Sequence, residues 1–193
     1  MKASVNSLKR MSVKQMSLLA MFCAISVVLV WLIHFPIIPG VAFLEYDPAD
    51  IPIFIGTFLF GPWVGLILTV ITAVIQGVTV SAGGGPIGIL MHIVATGSYV
   101  VVAGLLYRRK KTQGRAMLAM SLGVLAWIAV MIVWNILLTP IYMGQPREAV
   151  VSLLLPAIIP FNLVKAGANS IIAFLVYKSI SKLVKKHILE ESV

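Results

Sequence analysis

Five strongly polar side chains interrupt long apolar runs: Gln76, His92, Asn135, Asn162 and Lys165. Polar groups are costly in hydrocarbon, so where each falls along its helix is informative. Asn162, Lys165 and Asn169 follow i, i+3, i+7 spacing, which puts them on one helical face. Lysine supplies three donors and asparagine both donors and acceptors, a set suited to hydroxyl and carbonyl oxygens of a small molecule. The competing explanation is structural: Lys165 snorkels to a nearby surface, and Asn162 and Asn169 bond neighbouring helices. His92 reads first as a packed, satisfied histidine and only second as a ligand group. Upstream, Asp47 reads as a helix N-cap, Pro48 suits the first helical position and Asp50 adds charge to the first turn. That leaves Glu45 without a capping duty and a candidate for ligand contact. Trp31, Trp127 and Trp134 could form an aromatic wall for a flat ligand, but an interfacial belt is the commoner explanation.

Other chemistry is missing from the chain. Gly83-Gly84-Gly85 lacks the Lys-Ser/Thr that completes a phosphate-binding loop and reads as a tight turn. Cys23 is the only cysteine, so no disulfide frame or thiolate metal site is available. No nucleophile with a base, no metal triad and no paired intramembrane carboxylates stand out. The expectation is a protein that is not an enzyme, holds no cofactor or metal, and has no energy source of its own. If it transports, a partner supplies the work or the flow is downhill.

The elements that must position these groups are membrane helices. Of 193 residues, 60% are hydrophobic and 11% charged, against roughly 25% charged in a soluble domain. The spacing predicts an all-α integral membrane protein, a single transmembrane domain over 1–193. Its six helices fall at about 15–35, 48–60, 63–81, 86–107, 116–139 and 157–184. The first apolar stretch, from Met16 to Ile33, is too long for a signal core and reads as a helix that stays. The second predicted helix is too short to cross a hydrocarbon core of roughly 30 Å. The loop before it, His34 to Tyr46, is therefore expected to dip inward.

Thirteen of the fifteen Lys and Arg residues form three clusters: Lys2, Lys9, Arg10, Lys14; Arg108, Arg109, Lys110, Lys111, Arg115; and Lys178, Lys182, Lys185, Lys186. With six spans, all three fall on one side, which the positive-inside rule assigns to the cytoplasm along with both termini. This pattern explains the net charge of +9 and argues against nucleic-acid binding. Gln76, His92, Asn135, Asn162 and Lys165 then all lie toward the outer half, above a mostly aliphatic inner half. An outward-facing pocket closed below is expected. In the first helix, Ala20 and Ala24 form a small-xxx-small pair that permits close approach by another helix.

The segment Leu44-Glu45-Tyr46-Asp47-Pro48-Ala49-Asp50-Ile51-Pro52, followed by Phe60-Gly61-Pro62, resembles the riboflavin-specific substrate-binding (S) components of energy-coupling factor transporters. Asn162-Leu163-Val164-Lys165 and the Ala20-to-Ala24 segment are similar to the same family. The alanine pair is shared by S components for many vitamins. The resemblance implies a multi-pass cell-membrane protein that captures riboflavin outside. Its partners would be the lipid bilayer, a transmembrane coupling subunit and two cytoplasmic ATPases, with toppling of the S component as the release step. It implies that Asn135, Asn162 and Lys165 hydrogen-bond the ligand, that the loop around Leu44 and Glu45 forms a lid, and that Ala20 and Ala24 dock the coupling subunit. Gln76 joins the binding set on its depth alone. Two alternatives are an S component for a thiamine-, pyridine- or pterin-like vitamin and, from another class, a membrane-embedded quinone- or haem-binding protein.

Overall fold

The structure, a computed structural model, describes residues 12–184. Lys2, Lys9, Arg10, Lys185 and Lys186 of the basic clusters lie outside the described residues. Helix α1 spans Val13–Leu32. It starts on a reciprocal cap: the Ser12 hydroxyl accepts the Gln15 N–H at 3.2 Å, and the Gln15 side chain accepts the Ser12 N–H at 3.1 Å. The chain then turns through a two-residue antiparallel pairing of β1 (Phe35–Pro36) with β2 (Glu45–Tyr46). Helices α2 (Asp50–Phe60) and α3 (Pro62–Val78) meet at Gly61, whose φ of 99° is open to glycine, with Pro62 starting α3. A 3-10 turn over Ala82–Gly84 leads into α4, Gly85–Arg109. Helix α5 covers Gln113–Met143, capped at its start by the Thr112 hydroxyl and closed by left-handed Gly144.

Most helix ends fall within three residues of the sequence expectation, and two depart further. Helix α5 continues through Pro140 to Met143, because a proline in the last turn removes only one ladder bond. The expected start of the last helix at 157 is corrected more substantially. Helical structure begins at Arg147 as α6 (Arg147–Leu153), passes through a π turn at Leu154–Ile158, and continues as α7 (Ile159–Val184). The wider π turn carries Pro156, which lacks the N–H that an α-helical ladder needs there.

By length and composition four helical stretches can cross a membrane: Val13–Leu32, Ala82–Arg109, Gln113–Met143 and Arg147–Val184. Helices α2 and α3 are shorter and apolar. At 1.5 Å per residue α2 is only about 16 Å long, yet it is the most enclosed element. Eight of its eleven residues are buried, and it touches α1, α3, α4 and α7. Its Phe54 ring stacks on Tyr99 of α4 with centroids 3.8 Å apart and planes 19° from parallel. One turn further on, Phe58 meets Tyr107 and Tyr177 edge to face. The interior below the polar residues is not purely aliphatic. Thr57 and Thr69 each donate to a carbonyl four residues back, which satisfies the hydroxyl inside its own helix.

The outer surface is apolar. Met21, Ile25 and Val28 of α1, Ile67, Val70, Ile71 and Val74 of α3, and Leu163, Ile171 and Leu175 of α7 are all exposed. Such continuous apolar surface suits lipid and would aggregate in water. Inside, small residues bring the helices close. A Cβ on Gly104 would lie 2.8 Å from Pro62 Cβ and 3.0 Å from Pro62 Cα, atoms that no side-chain rotation can move away. Gly104→Ala is therefore expected to cost about 1–3 kcal/mol of stability. Thermal unfolding of the detergent-purified protein measures it, and an unchanged midpoint would show that the α3–α4 contact has slack.

Candidate functional site

The helices converge on a cavity of about 410 Å³ at one end of the bundle. Its wall combines the last turns of α3, the first turns of α4, the second half of α5, the start of α7 and the loop between α1 and α2. Apart from Lys165, which lines the cavity, the basic residues of the described long helices lie at the opposite end: Lys14 on α1, Arg108 and Arg109 on α4, Arg115 on α5, Lys178 and Lys182 on α7.

Leu44, Glu45, Gln76, Asn135, Asn162 and Lys165 all line this cavity. Ala20 and Ala24 do not; both are exposed on the outside of α1. Leu44 is buried beneath the loop, whereas Glu45 is exposed at the rim. Asn162 accepts the Trp127 indole N–H at 2.7 Å and donates to the Ile158 carbonyl at 2.7 Å. Asn135 donates to the Met131 carbonyl at 2.8 Å and accepts the Thr139 hydroxyl at 2.9 Å. Each amide retains one donor and one lone pair beyond these bonds. Gln76 donates to Ser81 at 3.3 Å, and its occluded carbonyl oxygen has no hydrogen-bond partner. Of the three tryptophans considered as an aromatic wall, Trp127 lines the cavity, and Trp31 is 67% exposed outside it. Trp134 is not part of the lining.

The acidic residues depart most from expectation. Asp47 is not the side-chain cap of α2, whose cap position is Ala49 with no side-chain hydrogen bond. One Asp47 oxygen instead accepts the Ala49 N–H at 3.0 Å, closing a local turn, and the other pairs with Lys165 Nζ at 2.6 Å. Lys165 also reaches the Glu45 carbonyl at 3.4 Å. Snorkelling is thus replaced by an ion pair in which Lys165 is 13% and Asp47 5% exposed. Asp50 is not in a solvated first turn but wholly buried. It accepts the Thr96 hydroxyl at 2.7 Å and an Asn169 amide N–H at 3.3 Å, and His92 Nε2 stands 3.3 Å away.

Asn169 joins these groups together. Its amide also donates to the Asp47 carbonyl at 3.0 Å, and its oxygen accepts the Tyr46 hydroxyl at 3.0 Å. Burial pushes the Tyr46 phenol above its usual value, and the Asp47 carboxylate adds to the rise, so it remains a donor. The face of α7 carrying Lys165 and Asn169 therefore holds the loop and the start of α2 in place.

Sequence reasoning missed the roles of Asp47, Asp50 and Thr96. One signal was available. A lysine enclosed in a membrane bundle needs a counter-charge, and the acidic residues on its side are few: Glu45, Asp47, Asp50 and Glu148. Thr96 gives no such signal, since a threonine in an apolar helix is ordinarily satisfied by its own backbone.

Comparison with known proteins agrees with this geometry. The family model described as "ECF transporter, substrate-specific component" matches residues 14–177. The chain is similar to the riboflavin transporter RibU of Staphylococcus aureus (strain TCH60), 25% identical over 179 residues that cover 90% of this chain and 93% of the relative. The riboflavin transporter FmnP of Bacillus subtilis (strain 168) is 26% identical over 179 residues, covering 86% and 92%. A solved structure described as the S component of a bacterial ECF transporter superposes with a TM-score of 0.75 at 26% identity, covering 89% of this chain and 98% of that one. With its helical fold, lipid-compatible surface and polar-lined cavity, the chain belongs to the substrate-specific components of energy-coupling factor transporters.

Proposed function

We propose that this chain captures riboflavin at the outer face of the cell membrane and delivers it inward as the substrate-binding subunit of its transporter. The observation that carries this reading is the gathering of Leu44, Glu45, Gln76, Asn135, Asn162 and Lys165 around one cavity. Its volume of about 410 Å³ is in the range of small-molecule sites. Phe43, Met131, Trp127, Tyr142 and Phe161 supply apolar and aromatic surface for a planar ring. The asparagines, Gln76 and Lys165 supply donors and acceptors for ring carbonyls and ribityl hydroxyls. The full-length similarity to two riboflavin transporters supports the choice of ligand.

In the proposed topology the chain crosses the bilayer six times, with both termini and the basic ends of the helices in the cytoplasm and the cavity opening outward. Energy comes from partners: a transmembrane coupling subunit, approached by the exposed Ala20 and Ala24 face of α1, and two cytoplasmic ATPases. The protein itself performs no bond chemistry.

Lys165 is the sharpest test of the binding site. Lys165→Met strands the Asp47 carboxylate, so a stability loss of about 3–5 kcal/mol is expected. Adding Asp47→Asn removes the stranded charge and restores thermal stability. Flavin fluorescence quenching should still show the double variant binding riboflavin about ten- to a hundredfold more weakly, the loss of one charged hydrogen bond. Full affinity in the stable double variant would reduce Lys165 to a structural partner of Asp47.

Docking and topology have separate readouts. Replacing Ala20 and Ala24 together by Leu adds bulk outside the cavity. Riboflavin binding should persist while uptake and co-purification with the coupling subunit are lost; normal uptake refutes the docking role. Cysteines at the exposed positions Gln113 and Gln145 should label oppositely in intact cells. An impermeant thiol reagent is expected to reach the residue-145 cysteine alone, and equal labelling would overturn the topology.

A further inference from the structure

His92 lies on α4 and lines the cavity, yet the ligand reading above gives it no task. Its two nitrogens have different surroundings. Nε2 is shut off from solvent and stands 3.3 Å from the Asp50 carboxylate, close enough for an ion pair but without hydrogen-bond alignment. Asp50 is itself 0% exposed and anchored by Thr96 and Asn169. A bare nitrogen lone pair facing a fixed carboxylate is repelled, so the proton resides on Nε2. With that single proton on Nε2, Nδ1 is the ring's acceptor. Among the described residues Nδ1 makes no hydrogen bond and is not one of the occluded unpaired atoms. The side chain keeps 13% of its surface accessible, and that surface adjoins the cavity.

We propose that His92, oriented by buried Asp50, is a ligand-contacting residue whose Nδ1 accepts a hydrogen bond from a hydroxyl of the bound molecule. The proposal rests on the riboflavin reading and assigns this contact to the ribityl chain. The surroundings favour the polyol over the ring. His92 faces the Asp50 carboxylate, which Thr96 and Asn169 also bond, whereas the aromatic and sulfur-bearing lining residues Trp127, Met131 and Tyr142 sit on a different helix, α5. A hydroxyl is both donor and acceptor, so it can donate to Nδ1 and still accept from a neighbouring amide or ammonium group. Asp50 is a positioning residue here: it sets which nitrogen carries the proton, much as a carboxylate sets the tautomer of a metal-ligating or catalytic histidine.

The test compares two flavins on the full chain in detergent by fluorescence quenching, with thermal stability measured in parallel. The probes are riboflavin and lumiflavin, which has the same ring with a methyl group in place of the ribityl chain. His92→Phe keeps the ring shape and deletes the acceptor. It should weaken riboflavin binding about tenfold and leave lumiflavin binding unchanged. His92→Gln, whose amide can donate toward Asp50 and present its oxygen to the cavity, should recover most of the loss. Unchanged riboflavin affinity in His92→Phe, equal losses for the two flavins, or equal losses in the Phe and Gln variants would each overturn the proposal. Should His92→Phe fail to fold, the 15N chemical shift of His92 Nδ1 in the unmodified protein probes the contact directly. It should move with riboflavin and stay put with lumiflavin, and a shift indifferent to riboflavin overturns the contact. A wild-type protein that binds lumiflavin but not riboflavin, or neither, refutes the riboflavin reading itself. That outcome is distinct from riboflavin binding with His92 indifferent.

Discussion

The ion pair between Lys165 and Asp47, 2.6 Å long and almost closed to solvent, ties together segments 118 residues apart in sequence. Two charges enclosed in a helical bundle are tolerable only when paired and further hydrogen-bonded. The remaining valences are met locally: Lys165 reaches the Glu45 carbonyl, and Asp47 accepts the Ala49 N–H. This requirement dictates where the loop between α1 and α2 ends and where α2 begins. The cavity roof, including buried Leu44, follows from that placement. Asn169, one turn beyond Lys165, repeats the attachment through the Asp47 carbonyl and the Asp50 carboxylate.

Helix α2 hangs from this anchor. It is too short to reach across a bilayer, so its ends and connecting turns must be covered by protein. Contacts with α1, α3, α4 and α7 supply that cover. The stack of Phe54 on Tyr99 then extends the same organisation downward. The Tyr99 and Ser170 hydroxyls lie 2.9 Å apart, and the single Ser170 proton is engaged by the Ala166 carbonyl at 2.6 Å. Tyr99 is therefore the donor to Ser170, and no buried hydroxyl is stranded at that level. Polar anchoring at the cavity end and aromatic packing below it divide the bundle into a recognition layer and a closed floor.

This division suits a substrate-specific component. The cavity-lining amides are already partly bonded to their own helices, which holds them in place before a ligand arrives. Asn135 and Asn162 each spend one donor on the carbonyl four residues back. Side chains restrained in this way lose little further entropy on binding, the usual advantage of a preformed site. The Gln76 carbonyl, occluded and without a partner, is the one amide group among these left unsatisfied by the protein.

Much of this was legible in the residues. Apolar runs interrupted by Gly and Pro marked membrane helices, the basic clusters marked one end of them, and five interrupting polar groups marked the other. Those signals are local: helical rise converts a residue's position in its run into depth, and polar groups in hydrocarbon advertise themselves. The candidate lining residues on α3, α5 and α7 came from that arithmetic, and the structure brings them to one cavity. What the sequence could not reveal was pairing. Asp47 and Asp50 fit capping roles because capping is a local rule, while their actual partners, Lys165, Asn169, Thr96 and His92, come from other helices. The last helix was likewise misjudged at Pro156, since a proline predicts an interruption and only packing decides that a π turn absorbs it. Period and composition determine which elements form and which faces they bury. The tertiary arrangement decides which charge meets which, because that depends on distances between helices that no spacing along the chain contains.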